Sequence, residues 1–547
     1  MKKNSLVFIF IVICFLSGCI SKENVELIIH NGKIYSLDVN EKIHEAMAIQ
    51  NGKIISLGKN NQILNKYQSN HKIDLKGNVV YPGFIDAHCH LLSYGLQNQQ
   101  VDLTSCQSFD EVISKLKKFI SENDTKWIIG NGWDQNNWPT KKWPTNEQLN
   151  KTFPNHNVVL NRIDGHALMA NKKAILSSNI NPDTNIYGGY IEIIDHELTG
   201  IFVDNAMDLI LKHVPPVSEE ANKKALITAQ NTCFSLGLTT VDIAGLTKSS
   251  VELIDKLHNS EELKIKTYIM LSDNEENFNH YVHNMNGPVK TKKMNVRSFK
   301  FFADGSLGSR GACLINPYLD NQRTHGQLLQ NIDTFKTKLN TLKLYGFQAC
   351  THAIGDSANR IIINSYEDVL DGTNDLRWRI EHVQCITDED IKKLGKYNII
   401  PSVQPTHATS DFSWAIKRLG NERLQNCYRY YQLKTQNNLI ALGTDFPVEK
   451  INPIHTFYAA TFRKNYEDKP LGGFQPDESL SRVDALKGMT IWAAVANFEE
   501  NEKGSIEKGK SADLTILNTD LITCEENEIL NTKVLYTIVD GEIVYKN

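Results

Sequence analysis

Two histidines two residues apart, His88 and His90 in "GFIDAHCH", close an apolar run. On an extended strand alternate residues project to one face, so both imidazoles can meet one cation. Such a pair is weak evidence by itself. Three further apolar runs end alike: His352 in "ACTHAIGD", His382 in "RIEHVQ" and Asp445 in "ALGTDFPV". Neutral imidazole and carboxylate suit Zn2+ and related divalent ions. Lys300 complicates the set. It lies in "RSFKFFADGSLGSRGA" among Phe299, Phe301 and Phe302, where an unpaired ammonium is costly. As an ammonium it would repel a metal. Having added CO2 it would be a carbamate, an anion whose two oxygens can bridge two ions. A buried strand favours the free amine which that reaction needs. Pairing with Asp304 or Asp445, or snorkelling to a rim, would also account for this lysine.

These side chains need a scaffold that gathers strand ends. Strand-like runs recur at 78–90, 236–245, 263–271, 296–305, 345–355, 377–384, 397–407 and 438–448. Helices are expected between most of them, for example over 217–236 and 331–345. Eight such units predict a (β/α)8 TIM barrel over residues 81–499, with a doubly wound sheet as the alternative. Every candidate ligand then sits at a strand C-terminus, the face that carries active sites in such barrels. Residues of about 96–220 are too many for one loop and must form an insertion after strand 1 with structure of its own. Both chain ends read as strands and tight turns. "ELIIHNGKIYSLD" and "AMAIQNGKIISLG" place Asn-Gly between apolar runs, a hairpin signal, and "YTIVDGEIVY" closes the chain in the same manner. Residues 24–80 and 500–547 are therefore expected to form one small β-sandwich.

The 547 residues are 41% apolar and 22% charged, ordinary for a globular chain of more than one domain. A net charge of -4 provides no basic stripe, so nucleic acid is not an expected partner. Lys2 and Lys3 precede an apolar run from Leu6 to Leu16, a secretory signal pattern over residues 1–18. It ends in "LSGC", which resembles the bacterial lipoprotein box. That resemblance implies cleavage before Cys19, lipidation of Cys19, and an exported protein anchored to a membrane of the cell envelope. The eight later cysteines are scattered and read as small buried hydrophobes, with room for one bridge.

The ordered set "PGFIDAHCHL", "FKFFADGSLGSRGA", "THAIGDSANR", "RIEHVQ" and "LGTDFPV" resembles the metal-dependent amidohydrolase superfamily. More narrowly it is similar to the YtcJ-like branch, amidohydrolase family 3, which includes N-substituted formamide deformylases. The resemblance spans about residues 25 to 545. It implies two divalent ions, expected to be zinc: His88, His90 and Asp445 on the first, His352 and His382 on the second, and the Lys300 carbamate between them. Cys89 should point away. The implied reaction is hydrolysis of a C–N bond in a small-molecule amide or N-formyl amine. A metal-bound hydroxide attacks, and Asp445 serves as base and then acid.

Candidate substrate contacts are Arg162 and His166 in the insertion, Trp133 as an apolar wall or as insertion core, and His407 at the end of strand 7. Asp304 and Arg310 are further candidates, with bracing of the loop after Lys300 as their other role. Asp356 is expected to orient His352. A mononuclear deaminase, an esterase or lactonase, and a non-catalytic binding lipoprotein are the alternative functions. Pairing of two chains is a further expectation.

Overall fold

The computed structural model describes residues 22–547 apart from Asn98, Asp371 and Thr373. The signal segment and Cys19 lie outside the described residues. Among the described residues no helix is long and apolar enough to cross a membrane.

Eight parallel strands follow one another around a barrel in chain order. They are β1 (Phe84–Cys89), β2 (Leu238–Leu246), β3 (Lys266–Ser272), β4 (Met294–Phe302), β5 (Gln348–Ala353), β6 (Arg379–His382), β7 (Ile400–Val403) and β8 (Ala441–Leu442). The residues just past β8 close the ring. Asp445 N donates to His88 O at 2.8 Å, and His90 N donates to Phe446 O at 2.8 Å. The seam is thus made at the mouth, by the residues expected to bind metal. The predicted helices are present at Glu219–Ser235 and Ile332–Tyr345, each started by a side-chain cap from Ser218 or Asn331.

Strands from both chain ends form two further sheets. One orders Lys53–Gly58, Ala46–Gln50, Leu27–His30 and Lys72–Asp74. The other orders Glu542–Lys546, Val534–Val539, Leu514–Leu517, Val79–Pro82, Lys33–Tyr35 and Ile43–His44. Leu27, Ile29, Met47, Val80, Leu514 and Ile516 share one apolar cluster between them. Two expectations need correction. Asn51-Gly52 and Asp540-Gly541 do turn hairpins, but Asn31-Gly32 does not: Leu27–His30 and Lys33–Tyr35 belong to different sheets. The run 78–90 is likewise two strands, Val79–Pro82 in a terminal sheet and Phe84–Cys89 in the barrel. Apolar alternation is the same on either side of such a corner, so the pattern cannot reveal it.

The insertion has its own six-stranded sheet, ordered Val101–Asp102, Trp127–Trp133, Asn157–Arg162, Ala167–Ala170, Glu197–Asp204 and Gly189–Ile194. Leu103, Val112, Leu116, Ile128 and Val158 pack beneath it. Cys385 and Cys427 form a disulfide, whereas Cys89, Cys106, Cys233 and Cys350 are free and buried. The scattered spacing of the cysteines allows this bridge without specifying it.

Candidate metal centre

β1, β5 and β6 deliver His88, His352 and His382 to one end of the barrel, and the turn after β8 delivers Asp445. His88 Nε2 lies 3.7 Å from Asp445 Oδ1, and His90 Nε2 lies 3.2 Å from the same oxygen. The rings of His88 and His382 are centred 5.0 Å apart, and those of His382 and His352 4.5 Å apart. Ligand-type atoms of His88, His382 and Asp445 all fall within 4.8 Å of one another. This trio takes members from both expected ligand groups, with His90 beside it at Asp445 and His352 beside it at His382. His382 and Asp445 carry φ of 73° and 61°. Left-handed backbone is strained for such residues and collects at functional sites.

The Nε2 nitrogens of His88 and His382 face the centre in the form a cation needs, whereas that of His352 lies 3.4 Å from Gly305 O. His88 Nδ1 donates to Glu381 Oε2 at 2.6 Å, and His382 Nδ1 donates to Gln404 Oε1 at 2.7 Å. Each ring therefore carries an unprotonated Nε2, which in His88 accepts from Lys300 Nζ at 3.1 Å. Burial holds all three core imidazoles neutral. It pushes His88 down to about 4, and it drives His352 and His382 well below the ordinary histidine range, with neighbouring cations adding to the effect. Asp445 Oδ1 is buried without a hydrogen-bond partner. Burial would raise this carboxyl, but His407 and the neighbouring imidazoles of His90 and His88 hold it well below its usual range. An orphaned carboxylate oxygen among unprotonated imidazole nitrogens fits a divalent ion.

Lys300 is buried, with Nζ 3.1 Å from His88 Nε2 and 4.9 Å from the centroid of the Phe302 ring. It neither pairs with Asp304 nor reaches bulk water. Burial pulls its amine down to about 8, against the opposing pull of Glu381 and Asp445. Cys89 is buried in the apolar layer outside the barrel strands, as its parity on β1 requires.

A cavity of about 780 Å³ opens over this group, and Arg162, His166, Lys300, His352, His407 and Asp445 are among its walls. His407 bridges two carboxylates, Asp445 Oδ2 at 3.4 Å and Glu449 Oε1 at 3.1 Å. Burial alone would lower its pKa; the two carboxylates raise it to about 10. His166 is similar in kind. Its Nδ1 donates to Asp204 Oδ1 at 2.8 Å, which outweighs burial and raises its pKa. Arg162 reaches the wall, yet its guanidinium is spent on Gln135 at 2.8 Å and on Asp134 and Asp164 at 2.5 Å each. It braces the insertion.

Three expected contacts are not on the wall. Trp133 donates from Nε1 to Leu160 O at 2.8 Å and packs tilted against Trp138 and edge-on against Trp143, because its side of the strand faces the insertion core. Arg310 turns outward onto Asp320, with contacts of 3.2 and 2.9 Å. Asp304 is fully buried and accepts backbone N–H groups from Cys313, Ile354 and Gly355 at 2.8 to 3.0 Å. That pins the turn after β5, with Asp304 Oδ1 3.7 Å from His352 Nε2. Asp356, expected in that place, instead accepts from Ile315 N.

Glu381 went unread in the sequence. It is wholly buried and accepts from Arg379 Nε at 2.8 Å, while Arg379 Nη1 donates to Asp242 Oδ2 at 3.0 Å. Burial would raise Glu381, but Arg379 and His88 bring it far below its usual range. The available signal was Arg379 and Glu381 at i and i+2, opposite charges on one face of a buried strand. Glu381→Gln should lower metal affinity about 10- to 100-fold while leaving the secondary structure intact. Competition with a chromophoric chelator, with circular dichroism alongside, measures both.

The model of a family described as "Amidohydrolase family" matches residues 72–545. YtcJ of Bacillus subtilis (strain 168) is 30% identical over 531 residues, covering 94% of this chain and 99% of that one. The N-substituted formamide deformylase of Arthrobacter pascens is 24% identical over 553 residues, covering 95% and 98%. Among solved structures, an uncharacterized metal-dependent hydrolase from Pyrococcus horikoshii OT3 superposes with a TM-score of 0.76 at 26% identity, covering 92% of this chain and 99% of that one.

Proposed function

The chain belongs to the amidohydrolase family, and from that membership and the geometry above we propose that it hydrolyses the C–N bond of an N-acyl or N-formyl amine. The observation that carries this reading is the buried, unpartnered Oδ1 of Asp445 among the imidazoles of His88, His90 and His382. The resident group is proposed to be two zinc ions. His88, His90 and Asp445 would hold one and His352 and His382 the other, with Lys300 as its carbamate between them. When bound, such ions polarise an acyl oxygen and lower the pKa of water.

The protein's own residues supply the proton transfers. Asp445 takes a proton from the attacking water as the new C–O bond forms. The C–N bond then breaks with its electron pair going to nitrogen, and Asp445 returns the proton there, releasing a carboxylic acid and an amine. His407, held by Glu449, keeps Asp445 ionised and aimed. The deformylase relative supports the N-formyl amine as substrate class. Placement outside the cytoplasm, tethered through Cys19, belongs to the same proposal. The Leu6–Leu16 run, "LSGC" and the Cys385–Cys427 disulfide support it.

Metal analysis of the purified protein, followed by a screen of N-formyl and N-acyl amines, is the test. Stoichiometric zinc with amine release is expected. A protein that binds no divalent ion would sink the proposal.

A further inference from the structure

Two glycines in the loop after Lys300 make room for one side chain of the insertion. A Cβ on Gly305 would meet Asp204 Oδ1 at 2.4 Å, and a Cβ on Gly311 would meet Asp204 Oδ2 at 2.4 Å. Asp204 itself sits at φ 53° and ψ -129°, backbone that side-chain-bearing residues rarely adopt. Its carboxylate accepts from His166 Nδ1 at 2.8 Å and from Gln327 Nε2 at 3.4 Å. Backbone links fix the pair further, for Asp204 N donates to His166 O at 3.0 Å. A strained, buried acid fitted into a double-glycine notch is an expensive way to dock an insertion; an apolar contact would serve. Such strain persists where a functional group must be held.

What it holds is the His166 ring, 4.9 Å from the ring of His352 and 6.3 Å from that of Phe302, on the cavity wall. The rings run in the order His166, His352, His382, His88, with Asp445 beyond. His166 therefore approaches the centre from the end away from Asp445. With Nδ1 committed to Asp204, the ring keeps Nε2 for a ligand.

We propose that His166 is a substrate-contacting residue supplied by the insertion: its Nε2 hydrogen-bonds the reacting amide group on the His352 side, and Asp204 acts through it as a positioning residue. This rests on the hydrolase reading above.

Acetohydroxamate, a small amide-like metal chelator, tests it without knowledge of the substrate. The zinc-loaded full chain is titrated by calorimetry as wild type, His166→Ala, His166→Gln and Asp204→Asn, with zinc content and melting temperature measured on each. His166→Ala is expected to weaken binding about 10-fold or more, the scale of one lost hydrogen bond to a charged ligand. His166→Gln should recover part of the loss, and Asp204→Asn should fall between Ala and wild type. Zinc content should hold throughout. Unchanged affinity in His166→Ala overturns the proposal. So does loss of zinc in that variant, which would make His166 a ligand. If the alanine variant does not fold, unchanged affinity in Asp204→Asn and His166→Gln is the overturning result. Failure of zinc-loaded wild type to bind acetohydroxamate overturns the hydrolase reading itself, and this inference with it.

Discussion

Asp445→Asn is expected to lower kcat by about 10⁴-fold, the upper range for loss of a general acid–base group. An amide cannot take the proton from water or return it to the departing nitrogen. The change is local. The Asp445 N to His88 O hydrogen bond that helps close the ring is a backbone contact and survives it. Steady-state rates on a substrate from the amine screen, with metal analysis of the same preparation, provide the check. A variant with a tenth of wild-type kcat at full metal loading would exclude Asp445 as the proton carrier.

Lys300→Met should separate stability from activity. The methionine approximates the lysine in length, so packing against the Phe302 ring is largely kept, and the cost of burying an amine disappears. In the metal-free protein, where no ion adds to stability, stability to urea should therefore hold or rise. If the carbamate bridges two ions, zinc per chain should fall to one or fewer. Loss of one Lewis acid of several kcal/mol should reduce kcat about 10³-fold. Retention of two ions per chain in Lys300→Met would eliminate the carbamate. Tandem measurement by mass spectrometry of bound metal and by urea titration distinguishes the outcomes.

The ligand residues were legible because each lies at the end of an apolar run, and strand ends converge in a barrel. Lys300 was legible through its discord with the phenylalanines around it. The residues that set the ligands' orientation were not. Glu381 touches His88 across 293 positions of sequence, and Gln404 touches His382 across 22. Neither contact leaves a periodic trace. Asp356 offered a carboxylate close in sequence to His352, but the chain turns so that Asp304, from the loop after β4, lies nearest instead. Trp133 and Arg310 were ambiguous for one reason: side-chain chemistry suggests a pocket, and only the facing of a strand or loop decides whether it reaches one. The Asn31-Gly32 corner shows the same limit for the backbone. A turn signal marks a change of direction without saying which sheet receives the next strand.

Val79–Pro82 lies between Lys33–Tyr35, some forty residues earlier, and Leu514–Leu517, more than four hundred later. During synthesis its outer edge waits for more than four hundred further residues before Leu514–Leu517 covers it. Strands far along the chain thus complete a layer begun at Lys33–Tyr35. A chain lacking Val534–Val539 would leave Leu514–Leu517 with a bare, apolar edge, a ready handle for proteases and for self-association. The layer is thereby only as sound as the latest of its strands.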